Sequence, residues 1–168
     1  MAGSSLVARA ATVSDAQAIA TIYNQGIADR IGTFETEPRS TQQIEAWFDG
    51  RHPIVVVEES GEVVAFASTS SYRSRPCYAG IAEFSVYVAR HRRAAGAGQV
   101  AMAALLEVAE AAGYWKLLSR IFPENTASRA LMAKMGFNEV GIYRRHGKLD
   151  GTWRDCVIVE RLLGEAAQ

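Results

Sequence analysis

Apolar residues recur along this chain with two different periods, and each change of period marks a change of element. Ala18, Ile19, Ile22, Tyr23 and Ile27 repeat at helical intervals, which predicts one apolar stripe on a helix of about three to four turns. Ser14 and Gln17 stand ahead of it as a capping-box pair. A second pair, Ser40 and Gln43, opens a shorter helix through Ile44, Trp47 and Phe48 that ends near Gly50. The loop Gly32-Thr33-Phe34-Glu35-Thr36-Glu37-Pro38 joins the two. Ile54 to Glu58 and Val63 to Ser70 are β-rich runs separated by Ser60-Gly61, which reads as an antiparallel hairpin. In Ile81 to Ala89, Phe84, Val86 and Val88 alternate with Glu83, Ser85 and Tyr87, so Glu83 and Tyr87 share a strand face.

Beyond Gly98 the helical period returns. Val100, Met102, Ala103, Leu105, Leu106 and Val108 predict a helix stopped at Gly113, a residue type favoured just past a C-cap. Trp115 to Phe122 reads as a short strand and Asn125 to Met135 as a helix closed by Gly136. Two last strands, Val140 to Arg145 and Trp153 to Leu162, form a hairpin around Asp150-Gly151. With an opening strand, the order β, α, α, β, β, β, α, β, α, β, β implies a central mixed sheet with helices on both faces. No linker, repeat or low-complexity segment interrupts it, so residues 1–168 are read as one α/β domain.

Composition narrows the function classes. The chain is 49% hydrophobic and 21% charged, with 18 Lys plus Arg against 18 Asp plus Glu. That balance argues against a nucleic-acid-binding or membrane-surface protein, so any basic site must be local. Cys77 and Cys156 have neither metal-ligand nor disulfide-framework spacing. Met1 to Ala11 carries no signal-peptide core, and no apolar run approaches the roughly 20 residues of a membrane helix. A cytoplasmic location with free thiols is the expectation.

The stretch Arg90-His91-Arg92-Arg93-Ala94-Ala95-Gly96-Ala97-Gly98 joins a strand to a helix through a basic, glycine-bearing turn. Glycines let backbone approach a ligand, and unpaired amides with the helix dipole favour an anion there. Gly96-x-Gly98-x-x-Ala101 matches the dinucleotide fingerprint in its Gly-to-Ala variant. Seven residues separate it from the strand, however, and Trp115 to Phe122 holds no acid for a ribose. No Gly-Lys-Ser/Thr follows, which excludes a nucleotide P-loop. A generic phosphate site and a solvated loop that caps a helix both remain open on these residues alone.

Arg93-x-x-Gly96-x-Gly98, preceded by Phe84-Ser85-Val86-Tyr87-Val88 and followed by Asn125-x-x-Ser128 and Met135-Gly136-Phe137, resembles the acetyl-CoA signature of the GNAT N-acetyltransferases. Thr33-Phe34-x-Thr36-Glu37-Pro38, Tyr72-Arg73-x-Arg75, Glu83-x-Ser85-Val86-Tyr87-Val88 and Gly151-x-Trp153-x-Asp155 resemble the phosphinothricin and arsinothricin N-acetyltransferase branch. The resemblance implies the GNAT fold, a mostly antiparallel sheet of about seven strands flanked by about four helices, and acetyl-CoA as co-substrate without a metal. It implies that Val86 and Val88 backbone pairs with the pantetheine arm, with Phe84, Ser85 and Tyr87 beside it. Arg93, Ala94, Ala95, Gly96, Ala97 and Gly98 would hold the phosphates, and Asn125 and Ser128 would meet the arm. Asn125 also reads as a helix N-cap.

An amine must lose its proton before it attacks a thioester. Glu83, a carboxylate in an apolar strand matching the branch's base, is the candidate acceptor of that proton, directly or through water. A backbone N–H near Val86 to Tyr87 is expected to face the oxyanion. Many GNAT enzymes carry a tyrosine where this chain has Met132, which leaves Tyr87 or water to protonate the leaving thiolate. Arg73 and Arg75, on one side of an extended strand, would grip the anionic group of a glutamate-like acceptor, with Thr33 and Phe34 lining its pocket. The implied substrate is a small anionic amino acid such as phosphinothricin, arsinothricin or a methionine sulfoximine-like analogue, detoxified by acetylation of its α-amine. His146, Lys148, Asp150 and Trp153 would close the pocket, and the branch implies a homodimer. A GNAT acting on another amine and a noncatalytic acyl-CoA-binding module are the alternatives.

Overall fold

The chain, described over residues 5–168 in a computed structural model, forms one seven-stranded sheet in the order β1-β2-β3-β4-β5-β7-β6. Met1 to Ser4, part of the segment read for a leader, lie outside the described residues. The strands are β1 (Leu6–Ala10), β2 (Ile54–Glu59), β3 (Glu62–Ser71), β4 (Ile81–Val88), β5 (Lys116–Ile121), β6 (Asn138–Leu149) and β7 (Thr152–Leu162). The helices are α1 (Ala16–Ala28), α2 (Thr41–Glu45), α3 (Ala97–Ala111) and α4 (Thr126–Lys134). Element order and type agree with the sequence reading throughout.

The alternation along β4 sorts the core into two layers. Ala82, Phe84, Val86 and Val88 pack with Met102, Leu105 and Met132 on the side of α3 and α4, whereas Tyr87 packs with Ile19, Tyr23, Ile44 and Phe66 on the side of α1 and α2. Glu83 and Ser85 therefore belong to the α1 and α2 face. Six fully buried strand valines, Val55, Val56, Val57, Val64, Val157 and Val159, lock the sheet from both sides. Each contributes about 1.5–3 kcal/mol relative to exposure.

Several boundaries differ from the sequence reading for identifiable reasons. The first cap is not the Ser14 and Gln17 pair but Thr12, whose backbone N–H donates to the Asp15 carboxylate at 2.8 Å. Asp15 is held there by Arg9 at 2.8 Å, a partner on β1 that lies outside the capping motif. The Ser40 and Gln43 box forms as expected. Helix α3 starts at Ala97, ahead of its first large apolar residue, because Gly96 at φ 93° caps it. Strand β6 runs to Leu149, through a bulge between Tyr143 and Gly147, since the tight turn at Asp150 and Gly151, φ 50° and 79°, carries the ladder to its end. Strand β3 stops at Ser71, so the extended continuation expected for Arg73 and Arg75 is absent, and both stand exposed on the loop that follows.

The feature that positions the site is the single parallel pairing among the described strands. β4 and β5 share only the rungs Ile81 to Lys116, Ala82 to Leu117 and Glu83 to Leu118. Beyond them β4 stays with β3 as far as Val88, and β5 stays with β7 as far as Ile121. The sheet thus splits into a wedge. Ala89 N–H donates to Val64 at 2.7 Å on the β3 side, and Phe84 C=O accepts from Ser119 Oγ at 2.8 Å on the β5 side. Strand alternation then turns the backbone groups of Val86 and Val88 into the wedge, without a strand partner.

Candidate active site

Two cavities open on this wedge. The first, about 610 Å³, is lined by Ile31, Gly32, the β4 segment Phe84 to Val88, Arg93, Ala94, Gly96 to Gln99, Ser119 to Ile121, and α4 residues including Asn125, Ser128 and Met132. The second, about 620 Å³, is lined by Thr33, Phe34, Glu35, Asp49, His52, Ser68 to Ser71, Glu83, Ser119, Arg120 and Cys156, among others. Gly32, Phe84, Ser85, Ser119 and Arg120 line both. The two therefore meet at the point where β4 and β5 part.

The glycine turn forms one end of the first cavity. Ala94 at φ 63° and Gly96 at φ 93° coil the chain so that Ala97, Gly98 and Gln99 present the first-turn amides of α3, which have no acceptor within the helix. A Cβ on Gly98 would lie 3.2 Å from Leu131, so glycine keeps α4 close. Ala95 is exposed and does not line the cavity, in contrast to the sequence expectation.

Only one of the four basic or titratable residues of the turn reaches this cavity. Arg90 pairs with Asp29 through Nε and Nη2 at 2.9 and 2.8 Å, Arg92 pairs with Glu59, and His91 lies outermost, 3.5 Å from Glu62. Arg93 donates through Nη1 to Asp29 at 2.8 Å, and its Nη2 is buried with no partner among the described residues. Arg90 first and Arg93 second hold the Asp29 carboxyl down to about 2. A buried guanidinium nitrogen without an acceptor, beside unpaired helix amides, fits the pyrophosphate of CoA.

Asn125 caps α4, its Oδ1 accepting from Ser128 N–H at 3.1 Å, while its Nδ2 donates to Ile31 C=O at 3.0 Å. The cap and the hold on the loop are one device. Tyr87 lines the same cavity, with its ring edge-on to Tyr23 at 5.1 Å and stacked on Phe66 at 5.6 Å. Burial pushes its phenol above the ordinary range, so it stays a protonated donor. Met132 is buried in the wall of this cavity.

On the second cavity, Phe34 meets Phe122 edge-on at 5.1 Å, and Arg154 covers the other ring at 4.0 Å from its centroid. Gly147 lies so close to Phe34 that a Cβ there would sit 2.8 Å from the ring. Thr33 Oγ1 accepts from Glu35 N–H at 3.1 Å and turns the loop. Glu83 lies 3.2 Å from Arg120 Nη2, a partner supplied by β5. Asp49 binds His52 Nδ1 at 2.5 Å and is held well below the usual carboxylate range, by that bond and by the His52 and Arg51 amides, despite opposing burial.

Thr33, Phe34 and Glu83 thus come together as expected, and Arg73 and Arg75 do not join them. Arg73 lies over the Tyr72 ring at 5.1 Å, just beyond the cavity rim at Ser71. The hairpin residues also stay outside: Lys148 covers Trp153 at 4.5 Å, Asp150 pairs with Arg30 at 2.8 Å, and His146 packs on Tyr143 at 4.8 Å. Ser119, Arg120, His52 and Cys156 also line these cavities, and the sequence reading did not place them there. Ser119 and Arg120, two polar residues inside the apolar run Trp115 to Phe122, were the available signal.

The comparisons with known proteins agree with this geometry. Residues 8–158 match the family model described as an acetyltransferase (GNAT) domain. The chain is 32% identical to the phosphinothricin N-acetyltransferase of Streptomyces coelicolor, covering 89% of this chain and 91% of that one. It is equally 32% identical to the L-methionine sulfoximine/L-methionine sulfone acetyltransferase of Pseudomonas aeruginosa, covering 90% and 91%. A GNAT superfamily phosphinothricin acetyltransferase from Sinorhizobium meliloti, solved in complex with AcCoA, superposes with a TM-score of 0.88 at 28% identity, over 95% of this chain and 89% of that one. With its split sheet, its amide-lined turn and these matches, the chain belongs to the GNAT family of acetyltransferases.

Proposed function

We propose that this acetyltransferase transfers the acetyl group of acetyl-CoA to the α-amine of a small anionic glutamate-like amino acid, of the phosphinothricin, arsinothricin or methionine sulfoximine type. The observation that carries the reading is the meeting of two cavities of similar volume at Phe84, Ser85, Ser119 and Arg120, with Glu83 on the acceptor side. Two substrates entering from opposite sides can meet there without a covalent enzyme intermediate. Bound acetyl-CoA supplies an activated acyl carbon and a thiol leaving group.

The chain's own residues supply position and proton transfer. Amides at the start of α3 and the unpartnered Arg93 nitrogen bind phosphate, and the open edge at Val86 and Val88 extends the sheet by pairing with an amide-bearing arm. Glu83 takes the proton of the incoming ammonium, while Tyr87, kept protonated by burial, donates toward the departing sulfur. Phe34 and Thr33 wall the acceptor. Arg73 and Arg75, beside the rim, meet an anion that projects out of the cavity. Removal of the amine's charge and basicity would detoxify a glutamate mimic, and the active form is a homodimer.

One observation favours a second reading, a GNAT that acts on a cationic amine. Glu35, Asp49 and Glu83 all line the acceptor cavity. Each already has a partner, however: Arg39 at 2.9 Å, His52 at 2.5 Å and Arg120 at 3.2 Å respectively. Thiol release from acetyl-CoA, measured over phosphinothricin, arsinothricin, methionine sulfoximine, a polyamine, an aminoglycoside and a short peptide, decides between the two. Turnover led by the anionic amino acids is expected, and turnover confined to the cationic amines would overturn the reading.

A further inference from the structure

Glu83, the residue placed to receive the acceptor's proton, is engaged by Arg120 at 3.2 Å. A carboxylate that already accepts from a guanidinium has less lone-pair density to offer an ammonium. Neither side chain is locked: Glu83 is 29% exposed and Arg120 46%, and both face the cavity. Among the described residues, Arg120 is also the only cationic side chain that lines both cavities. Its backbone is fixed within the β5–β7 ladder opposite Ile158, one residue past the Ser119 bond to Phe84.

The acceptor class proposed above carries its ammonium and its α-carboxylate on the same carbon. Opposite charges one carbon apart mirror the carboxylate and guanidinium of Glu83 and Arg120. We propose that this ion pair is a zwitterion clamp for the α-amino-acid head group: on entry the acceptor's ammonium replaces Arg120 at Glu83, and its α-carboxylate takes the guanidinium in a paired, two-bond grip. The exchange conserves charge, because one neutral pair is replaced by two, so no unpaired ion is left in the cavity. It also fixes the rest of the acceptor. With the head group at the junction, the distal anion extends away from the wedge, toward Ser70 and Ser71 and the rim where Arg73 begins.

The clamp makes the free α-carboxylate a condition for reaction as well as for binding. Once Arg120 is drawn to that carboxylate, Glu83 takes one proton from the ammonium. The nitrogen then bonds to the acetyl carbon, the carbon–sulfur bond breaks, and the second proton lost by nitrogen goes to the departing sulfur. An amine without an adjacent carboxylate leaves Arg120 on Glu83. Peptide N-termini, whose α-carbonyl is an amide, fall in that group and are rejected.

This inference rests on the proposed acceptor class, and its test separates the two. Steady-state rates are measured for the full chain with L-methionine sulfoximine and with its α-carboxamide, in the native protein and in Arg120→Gln and Arg120→Lys. The native protein is expected to prefer the acid by about a hundredfold in kcat/KM, with much of the difference in kcat, as for sites whose polar groups lose their partner. Arg120→Gln should bring the two acceptors to within about tenfold of each other, and Arg120→Lys should retain an intermediate preference. Comparing ratios across variants cancels the intrinsic difference between the two amines. An unchanged acid-to-amide ratio in Arg120→Gln, or an effect confined to the KM for acetyl-CoA, overturns the clamp while leaving the acceptor class intact. Native protein that acetylates neither compound but does acetylate a cationic amine overturns the acceptor class, and the clamp with it.

Discussion

Ser119 Oγ donates to the Phe84 carbonyl oxygen at 2.8 Å, and past that bond β4 and β5 share no further rung. A side chain thus closes the ladder where the backbone can no longer do so. Ser119→Ala leaves the carbonyl facing a cavity that water can enter, so the loss is that of one ordinary hydrogen bond, about 0.5–1.5 kcal/mol. For a chain of this size that corresponds to a fall in Tm of about 2–4 °C per kcal/mol. Because Ser119 lines both cavities, a rise in KM for acetyl-CoA is expected beside it. Thermal unfolding and initial rates test both, and an unchanged Tm would mean the bond does not hold the wedge.

Glu83→Gln keeps the shape of the side chain and a hydrogen-bond partner for Arg120, but removes its ability to take a proton. Turnover should fall by about 10²–10⁴, the range for loss of a positioned base, with KM for acetyl-CoA little changed. Native turnover across the pH range would exclude Glu83 as base.

Most of the fold was legible because each element carried its own period and its own stop signal. The parity of β4 placed Glu83 and Tyr87 on one face, and the structure puts both on the α1 and α2 side. The coiled backbone of the glycine turn was legible because its geometry depends on local residues. What local sequence does not encode is partnership between strands. Arg120 meets Glu83 only because β4 and β5 are paired in parallel with a particular register, and no spacing in the chain states that register. Arg73 and Arg75 went the other way. Their two-residue spacing assumed a strand that stops at Ser71, before either is reached.

Arg93 joins the first cavity to the end of α1 through Asp29, and its second terminal nitrogen has no partner among the described residues. Arg93→Ala should raise the KM or Kd for acetyl-CoA by about tenfold or more, the scale of one charge-assisted phosphate contact. Affinity for dephospho and full-length CoA, measured by calorimetry, should fall together if the pyrophosphate is the group held. Arg90→Ala, which removes the other Asp29 partner but does not line the cavity, should have a much smaller effect. Equal losses from the two variants would assign the binding to overall charge rather than to the Arg93 nitrogen.

Asp29 also sets an acid limit. Arg90 and Arg93 lower its carboxyl from the usual range to about 2 in the folded chain. A folded value below the unfolded one means the contribution is complete above about pH 4 and is lost as the pH falls toward 2. Solvent screening keeps it small at this partly exposed position. Urea midpoints should therefore decline between pH 4 and 2, and Asp29→Asn should decline less steeply over that window while matching the native slope above pH 5. Parallel curves throughout would remove Asp29 from the acid limb.

Gly26 lies in the interior of α1, where alanine ordinarily improves a helix by about 1 kcal/mol. Here the sign reverses. A Cβ at Gly26 would stand 2.7 Å from Cδ1 and Cε1 of Tyr87, and that ring cannot retreat because Tyr23 meets it at 5.1 Å and Phe66 at 5.6 Å. Gly26→Ala should therefore destabilise the chain by about 1–3 kcal/mol, as overpacked cores do. The displaced ring is pressed toward Gly32, on the boundary of both cavities, so the KM for acetyl-CoA should rise as well. Tyr87→Leu removes the colliding ring atoms, and the double variant should be more stable than the sum of the single changes by at least about 1 kcal/mol. Chemical denaturation of the four proteins in the cycle measures that coupling, and additive losses would show that the helix and the tyrosine do not press on one another.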